Sequence, residues 1–211
     1  EQTTQPVICL AASPNYFSDQ VLLAGTAGDG ILRSVNGGQS WQLVNFGLRD
    51  FSIYCLCPSN KWERKEIVFA GTANGVYYSP NGGRAWRFAG LDGITVLCLA
   101  LHPDFSHVPA ILAGTEDQGA WRSVDGGENW AQIELQSSES LTINALLASQ
   151  DVWLLAASET GIFLSYDEGL SWKPAETQLP GVLSFSENAG ILYAAKYQDG
   201  IYFSQDRRSE E

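Results

Sequence analysis

Carboxylates, arginines, histidines and thiols are the groups in this chain able to do chemistry, and their spacing limits what that chemistry is. Asp29, Asn74, Glu116, Asp117, Glu159 and Asp199 each stand just before a short Gly-led apolar run, and Lys196 and Tyr197 precede the last of them. A second polar set, Asn45, Phe46, Arg49, Asp50, Asp92 and Glu139, falls in other connecting segments. Two carboxylates facing each other across a sugar would suit glycoside hydrolysis. A mainly acidic set of loops on a rigid scaffold equally suits a basic protein partner or a cation.

Nucleophilic relays find little support. The two histidines, His102 and His107, fall in one short stretch, and nothing in the spacing sets an acid and a nucleophile beside either. His102-Pro103-Asp104-Phe105 reads as a turn. No phosphate-cradling GxxxxGK[ST] segment occurs, so no nucleotide or other cofactor is expected. The four cysteines, Cys9, Cys55, Cys57 and Cys98, lack CxxC spacing and histidine partners, so no metal site is expected. They read as small buried hydrophobes. With no secretory leader in the sequence, reduced thiols and a cytoplasmic setting are expected. The first residue is Glu rather than Met, which suggests a trimmed start, and the even thiol count leaves an oxidising compartment open.

Charge removes further classes. Twelve Lys+Arg stand against 24 Asp+Glu, a formal net charge of −12. Nucleic acid and anionic membrane surfaces need clustered cations, and the basic pair Arg207-Arg208 is followed by Ser-Glu-Glu. No apolar run approaches the length of a membrane span. At 45% hydrophobic and 17% charged residues, the chain has ample apolar surface to offset chain entropy.

The elements that position these groups come from an internal repeat. Leu23-Ala-Gly-Thr, Phe69-Ala-Gly-Thr, Leu112-Ala-Gly-Thr, Leu155-Ala-Ala-Ser and Tyr193-Ala-Ala-Lys each precede a Gly-led run ending in Ser34, Ser79, Ser123, Ser165 and Ser204. The serines are 45, 44, 42 and 39 residues apart. That is the period of a propeller blade, and β-branched and aromatic runs cut by Gly, Asn and Asp argue for strands over helical repeats. The expectation is an all-β fold: one five-bladed β-propeller over residues 1–211, with four-stranded antiparallel blades at 7–46, 52–90, 95–136, 142–177 and 182–206. Residues 1–6 would add the outer strand of the last blade and close the ring. In such a ring the acidic loops share one face with the inter-blade loops, and the two histidines lie on the other.

After each repeat serine comes Ser-x-Asp/Asn-x-Gly-x-x-Trp. The matches are Ser34, Asn36, Gly38, Trp41; Ser79, Asn81, Gly83, Trp86; Ser123, Asp125, Gly127, Trp130; and Ser165, Asp167, Gly169, Trp172, with Ser204 and Asp206 a partial fifth. The Asp or Asn is expected to accept backbone N–H bonds within its turn, and the Trp to open the next strand and cover the turn. The motif resembles the Asp box of bacterial neuraminidase (BNR) repeats, and the chain resembles WD40/YVTN/BNR-like propellers, a group that includes sialidase-like and sortilin-like repeats. The resemblance implies that these residues are structural and lie away from the ligand face.

The same resemblance brings sialidase activity into question. Sialidases hold a substrate carboxylate with three arginines and use a Tyr nucleophile with a Glu partner. Arg33 and Arg122 share a repeat position, which predicts a blade-surface role, and Arg84 lies inside a turn. The other arginines, Arg49, Arg64, Arg87, Arg207 and Arg208, form no such triad by position, and the sialidase fold has six blades. The expectation is therefore a non-enzymatic, monomeric binding scaffold for a protein partner, using on its loop face Asp29, Asn74, Glu116, Asp117, Glu159, Lys196, Tyr197, Asp199, Arg49 and Asp50. Glycan binding is the alternative and glycoside hydrolysis the third reading. The five loops differ in sequence, which disfavours five equal sugar sites.

Overall fold

A computed structural model describes residues 4–60, 62, 66–135, 141–150, 152–157, 160–188, 190–197 and 199–204. Five antiparallel sheets stand in a ring, a five-bladed β-propeller. The first blade holds β1 (Val7–Ala12), β2 (Leu22–Thr26), β3 (Ile31–Ser34) and β4 (Gln42–Leu43), with one helical turn, α1 (Tyr16–Asp19), between β1 and β2. The second holds β5 (Ile53–Pro58), β6 (Val68–Thr72), β7 (Gly75–Ser79) and β8 (Arg87–Phe88). The third holds β9 (Val96–Leu101), β10 (Ile111–Thr115), β11 (Ala120–Ser123) and β12 (Ala131–Gln132). The fourth holds β13 (Ile143–Ala148), β14 (Trp153–Ala157), β15 (Gly161–Ser165) and β16 (Lys173–Pro174). The fifth holds β17 (Val182–Asn188), β18 (Ile191–Lys196) and β19 (Gly200–Ser204). Strands run in chain order from the axis outward in every blade.

The second, third and fourth sheets are buried on both faces by their neighbours. This explains the unbroken apolar run of β6, β7 and β10, where alternation would signal a half-wet strand. The core therefore lies between blades. Val21, Leu23 and Ile31 of the first blade pack with Ile53, Val68, Tyr77 and Trp86 of the second. Three further interfaces repeat this down to the fifth blade. The leading residue of each inner strand seals the contact: Ile53, Val96, Ile143 and Val182 are all 0% exposed. At the fifth-to-first junction the equivalent Val7 is 47% exposed.

A one-residue bulge follows that leading residue in all five inner strands, so that Val7 and Cys9, or Ile53 and Cys55, pair with consecutive residues of the neighbouring strand. The bulge sets Cys9, Cys55 and Cys98 opposite Gly25, Gly71 and Gly114. In the fourth and fifth blades Ala145 pairs with Ala156 and Ser184 with Ala195.

Two expectations are corrected. The fourth repeat is one residue out of the expected register: Trp153 pairs with Ser165, as Leu22 pairs with Ser34, so Leu155 takes the place of Ala24. This buries Trp153 and Leu155, at 2% and 0% exposure. The fourth strand expected from residues 1–6 does not form over 4–6. Thr4 and Gln5 donate their backbone N–H groups to Asp29 Oδ2 at 2.8 and 3.2 Å. The rest of that expectation, 1–3 and 205–211, lies outside the described residues, as do Glu139, Glu159 and Asp206.

Candidate functional site

The loops joining second to third strands form one rim with the segments that enter the next blade. Their geometry starts from the threonine closing each second strand. Thr26, Thr72 and Thr115 are fully buried. Each hydroxyl donates to the carbonyl of the glycine across the turn (Gly30 2.8 Å, Gly75 3.0 Å, Gly119 2.7 Å). Each also accepts a backbone N–H from inside the turn, that of Asp29, Asn74 or Gln118. The rim turns are thereby fixed to the sheet.

A second set of hydroxyls ties each turn to the following blade. Ser52, Thr95 and Thr142 donate to the carbonyls of Ala27, Ala73 and Glu116. Each of these three residues directly precedes the sealing residue of its inner strand. Gly181 holds that place before Val182, so the fourth-to-fifth junction lacks this tie.

Several of the predicted binding residues are braces in these loops. Asp29 holds the N-terminal stretch, as described above. Asn74 Oδ1 accepts the Gly93 N–H at 2.7 Å, and Asp50 Oδ1 accepts the Ser52 N–H at 2.9 Å. Asp199 Oδ2 takes bonds from Lys196 Nζ at 2.9 Å and the Tyr202 hydroxyl at 3.0 Å. The Lys196 bond, then that from Tyr202, holds the Asp199 carboxyl below the usual carboxylate range. Arg49 is placed by its backbone N–H on the Tyr77 hydroxyl at 3.3 Å. Glu116, Asp117 and Tyr197 lie exposed.

The opposite face carries the repeat turns. Ser34, Ser79, Ser123 and Ser165 are buried, and each hydroxyl donates to the Asn or Asp two residues on, at 2.8–2.9 Å. The same oxygen accepts the N–H of Gly38, Gly83, Gly127 or Gly169. The Asn or Asp then accepts the N–H four residues further along. These glycines have φ between 80° and 91°, the left-handed region where a side chain is strained. For Asp125 the Asn129 N–H, with the Asn129 side chain, outweighs partial burial and draws the carboxyl down to about 2. For Asp167 burial opposes the shift, but bonds from Ser171 and Ser165 again bring it to about 2.

The tryptophans divide. Trp41 and Trp172 cover their own turns, donating Nε1–H to the carbonyls of Gly38 and Gly169. Trp86 and Trp130 reach the preceding blade instead, donating to Val44 O at 3.0 Å and Ala89 O at 2.7 Å. Arg33 corrects the expected surface role, whereas Arg122 stays partly exposed. Arg33 is 9% exposed, and its Nε donates to Gly82 O in the next blade's turn; Arg122 does the same to Glu168 O.

A cleft of about 410 Å³ opens on this face between the second and third blades, lined by Tyr78, Arg87, Phe105, His107 and Glu128 among others. The Arg87 guanidinium lies 4.5 Å from the Tyr78 ring centre, a cation–π contact. Sequence spacing did not single out this pair, because β7 and β8 bring the two residues side by side. His107 does have an acid and a hydroxyl beside it, contrary to expectation. Asp104 Oδ1 and Ser106 Oγ lie 3.0 and 3.2 Å away. Both meet the same ring nitrogen, Nδ1, whereas a relay needs them on opposite nitrogens. His102 Nδ1 accepts the Asp104 N–H at 3.0 Å, the turn its sequence predicts.

All four thiols are free. Burial pushes Cys9 and Cys57 up to about 11, Cys98 to about 12, and Cys55 well above its ordinary value. Among the described residues no group of three or more His, Cys, Asp or Glu side chains is placed to hold a metal ion. No described helix is long and apolar enough to cross a membrane.

Comparison with family models and with curated proteins finds no match. Solved structures do resemble the chain. An ancestral GH74 enzyme superposes with a TM-score of 0.73 at 20% identity, over 93% of this chain and 29% of its own. The GH74 xyloglucanase from Xanthomonas campestris gives 0.68 at 18%, over 91% of this chain and 34% of its own. The protein U3-55K gives 0.74 at 9%, over 96% of this chain and 62% of its own. The likeness is one of fold. The chain spans about a third of the GH74 proteins it matches, and propellers host unrelated functions.

Proposed function

We propose that this propeller is a non-enzymatic binding module that takes a basic segment of a protein partner on its acidic rim. The observation that carries the reading is the bracing of the rim. Buried threonines fix the turns, Asp29, Asn74 and Asp50 fix the adjoining backbone, and Glu116 and Asp117 are left exposed on a rigid support. A face with its backbone already ordered loses little entropy on binding. The net charge of −12 selects a cationic partner and speeds its approach.

Hydrolysis is the weaker reading. A general acid needs a carboxyl held protonated near neutral pH. The Asp199 carboxyl is displaced the other way, and Asp29 and Asp50 are engaged by backbone N–H groups. Sugar binding in five equal sites is disfavoured because the five loops differ in sequence.

The test is titration of the full chain with a lysine decamer at low and at moderate salt, followed by amide NMR. Shifts centred on residues 116–118 that weaken with salt and vanish in Glu116→Lys/Asp117→Lys are expected. Shifts centred elsewhere, or unchanged in the double variant, overturn the rim as the binding face. Release of sugar from xyloglucan by the pure protein would overturn the non-enzymatic part.

A further inference from the structure

The cleft between the second and third blades, on the repeat-turn face, is walled by an aromatic frame. Phe69 is 0% exposed and stands between Tyr78 and Phe105, with ring centres 5.1 and 5.6 Å away. Phe105 and Ile67, both buried, supply the apolar lining. Asn60 ties the second blade to the third here, its side-chain amide donating to Pro103 O. The volume of about 410 Å³ falls in the range of about 300–1,000 Å³ usual for ligand clefts. Trp62 and Glu66, between β5 and β6, face the first blade instead. Trp62 joins the core shared with that blade, and Glu66 pairs with Arg84 beside Arg33.

Two opposite charges line this cleft without meeting. The Arg87 guanidinium is stacked on Tyr78 and, among the described residues, takes part in no hydrogen bond or ion pair. The side chains of Arg33, Arg84 and Arg122, by contrast, are committed to Gly82 O, Glu66 and Glu168 O. Stacking covers one face of the Arg87 fork and leaves its N–H edge able to take a carboxylate through two parallel bonds. Glu128 is exposed, and its carboxylate likewise has no partner among the described residues. The other titratable groups on the wall are engaged. Asp125 accepts from Ser123, Glu128 and Asn129, and His107 Nδ1 lies 3.0 Å from Asp104.

We infer that this cleft binds a small zwitterion with an apolar body, the chemistry of a free amino acid or of a short peptide presenting both its termini. The carboxylate lies on the Arg87 fork, the ammonium on Glu128, and the apolar side chain against Phe105 and Ile67. A simple anion is the poorer occupant, because it would also meet Glu128, and a simple cation would meet Arg87. A ligand of both signs leaves neither charge unpaired as water is displaced from the cleft. The site is separate from the acidic rim and does not depend on what the rim binds.

The test is isothermal titration calorimetry of the full chain with L-phenylalanine and, separately, with the dipeptide phenylalanyl-leucine. Saturable binding of at least one is expected, and the tighter of the two names the source of the zwitterion. Each charge is then removed on both sides. N-acetylation of the ligand and Glu128→Gln in the protein should each weaken binding at least fivefold, and the two together no further than either alone. Amidation of the ligand carboxylate and Arg87→Gln should form a second such pair. Both side chains are exposed, so the variants should keep the β-type circular dichroism of the parent. If Arg87→Gln does not, the Glu128 pair decides. Absence of binding by both probes, undiminished binding of the acetylated ligand, or losses that add between ligand and protein overturn the inference.

Discussion

Ser123 Oγ stands 2.8 Å from Asp125 Oδ1 and 2.9 Å from the Gly127 nitrogen, donating to the first and accepting from the second. One buried hydroxyl thus fastens both arms of the turn, and the carboxylate it orients then collects the Glu128 and Asn129 N–H groups. The arrangement recurs in four blades, with Asn in two and Asp in two, so the geometry needs an oxygen acceptor there and the charge is secondary.

Asp125→Ala should therefore destabilise the protein by about 1–2 kcal/mol in urea unfolding at pH 7, and Asp125→Asn by less, as Asn36 and Asn81 already serve. Acid should separate the two roles. Asp125 and Asp167 are held at about 2, below the ordinary 3.8. Their contribution is present above that ordinary value and is lost as pH falls from about 4 towards 2. Asp125→Asn/Asp167→Asn should flatten that part of the stability profile; an unchanged profile would place the acid sensitivity elsewhere.

The thiols set the alkaline limit. Their raised values mean that the folded state keeps its protons where the unfolded chain loses them. Stability is complete below pH 9 and should decline as pH rises through about 11–12. Iodoacetamide labelling of the native protein at pH 7.5 should be slow at all four cysteines, since the thiolate is the reactive form. Rapid modification of Cys55 or Cys98 without unfolding would contradict this.

Gly71→Ala should cost about 1–3 kcal/mol by overpacking. A Cβ there would stand 2.6 Å from Cys55 Sγ and 2.8 Å from Val96 Cγ1. The fourth blade shows the compensation, with Ala145 opposite Ala156 where the first three set Cys opposite Gly. Gly71→Ala/Cys55→Ala should thus recover part of the loss in thermal melting, and a double variant no better than the single would refute the pairing.

Trp130→Phe keeps most of the ring but removes the Nε1–H bond to Ala89 O. About 1 kcal/mol of stability should be lost, and about 3–5 kcal/mol for Trp130→Ala. Equal losses would mean that the bond, rather than the packing, governs this position.

The fold was legible because one short motif recurs in phase with a blade-length period, and the turn chemistry of Ser34 to Trp172 follows from residue type alone. Contacts between blades were less legible. Whether Trp130 covers its own turn, as Trp172 does, or reaches Ala89 depends on how neighbouring sheets abut, which residue spacing does not record. The same is true of Arg33, whose partner Gly82 lies 49 residues away. The fourth repeat slipped by one residue because Leu155-Ala-Ala-Ser and Trp153-Leu-Leu-Ala-Ala offer two alignments of similar apolarity, and burial of Trp153 decides between them. At the rim, residue type could not separate acids that brace the loops, Asp29 and Asp50, from those that face solvent, such as Glu116.

The hydroxyl ties at Ser52, Thr95 and Thr142 end at Gly181, and this uneven series has a kinetic consequence. Repeat arrays open from whichever unit is held least. The fifth blade, joined to the fourth without a tie or an indole, should detach as a unit while the first four stay shut. Its amides, 182–204, should then exchange with deuterium in one early, cooperative step. The protein would spend a fraction of its time as a four-bladed arc with a hinged fifth leaf.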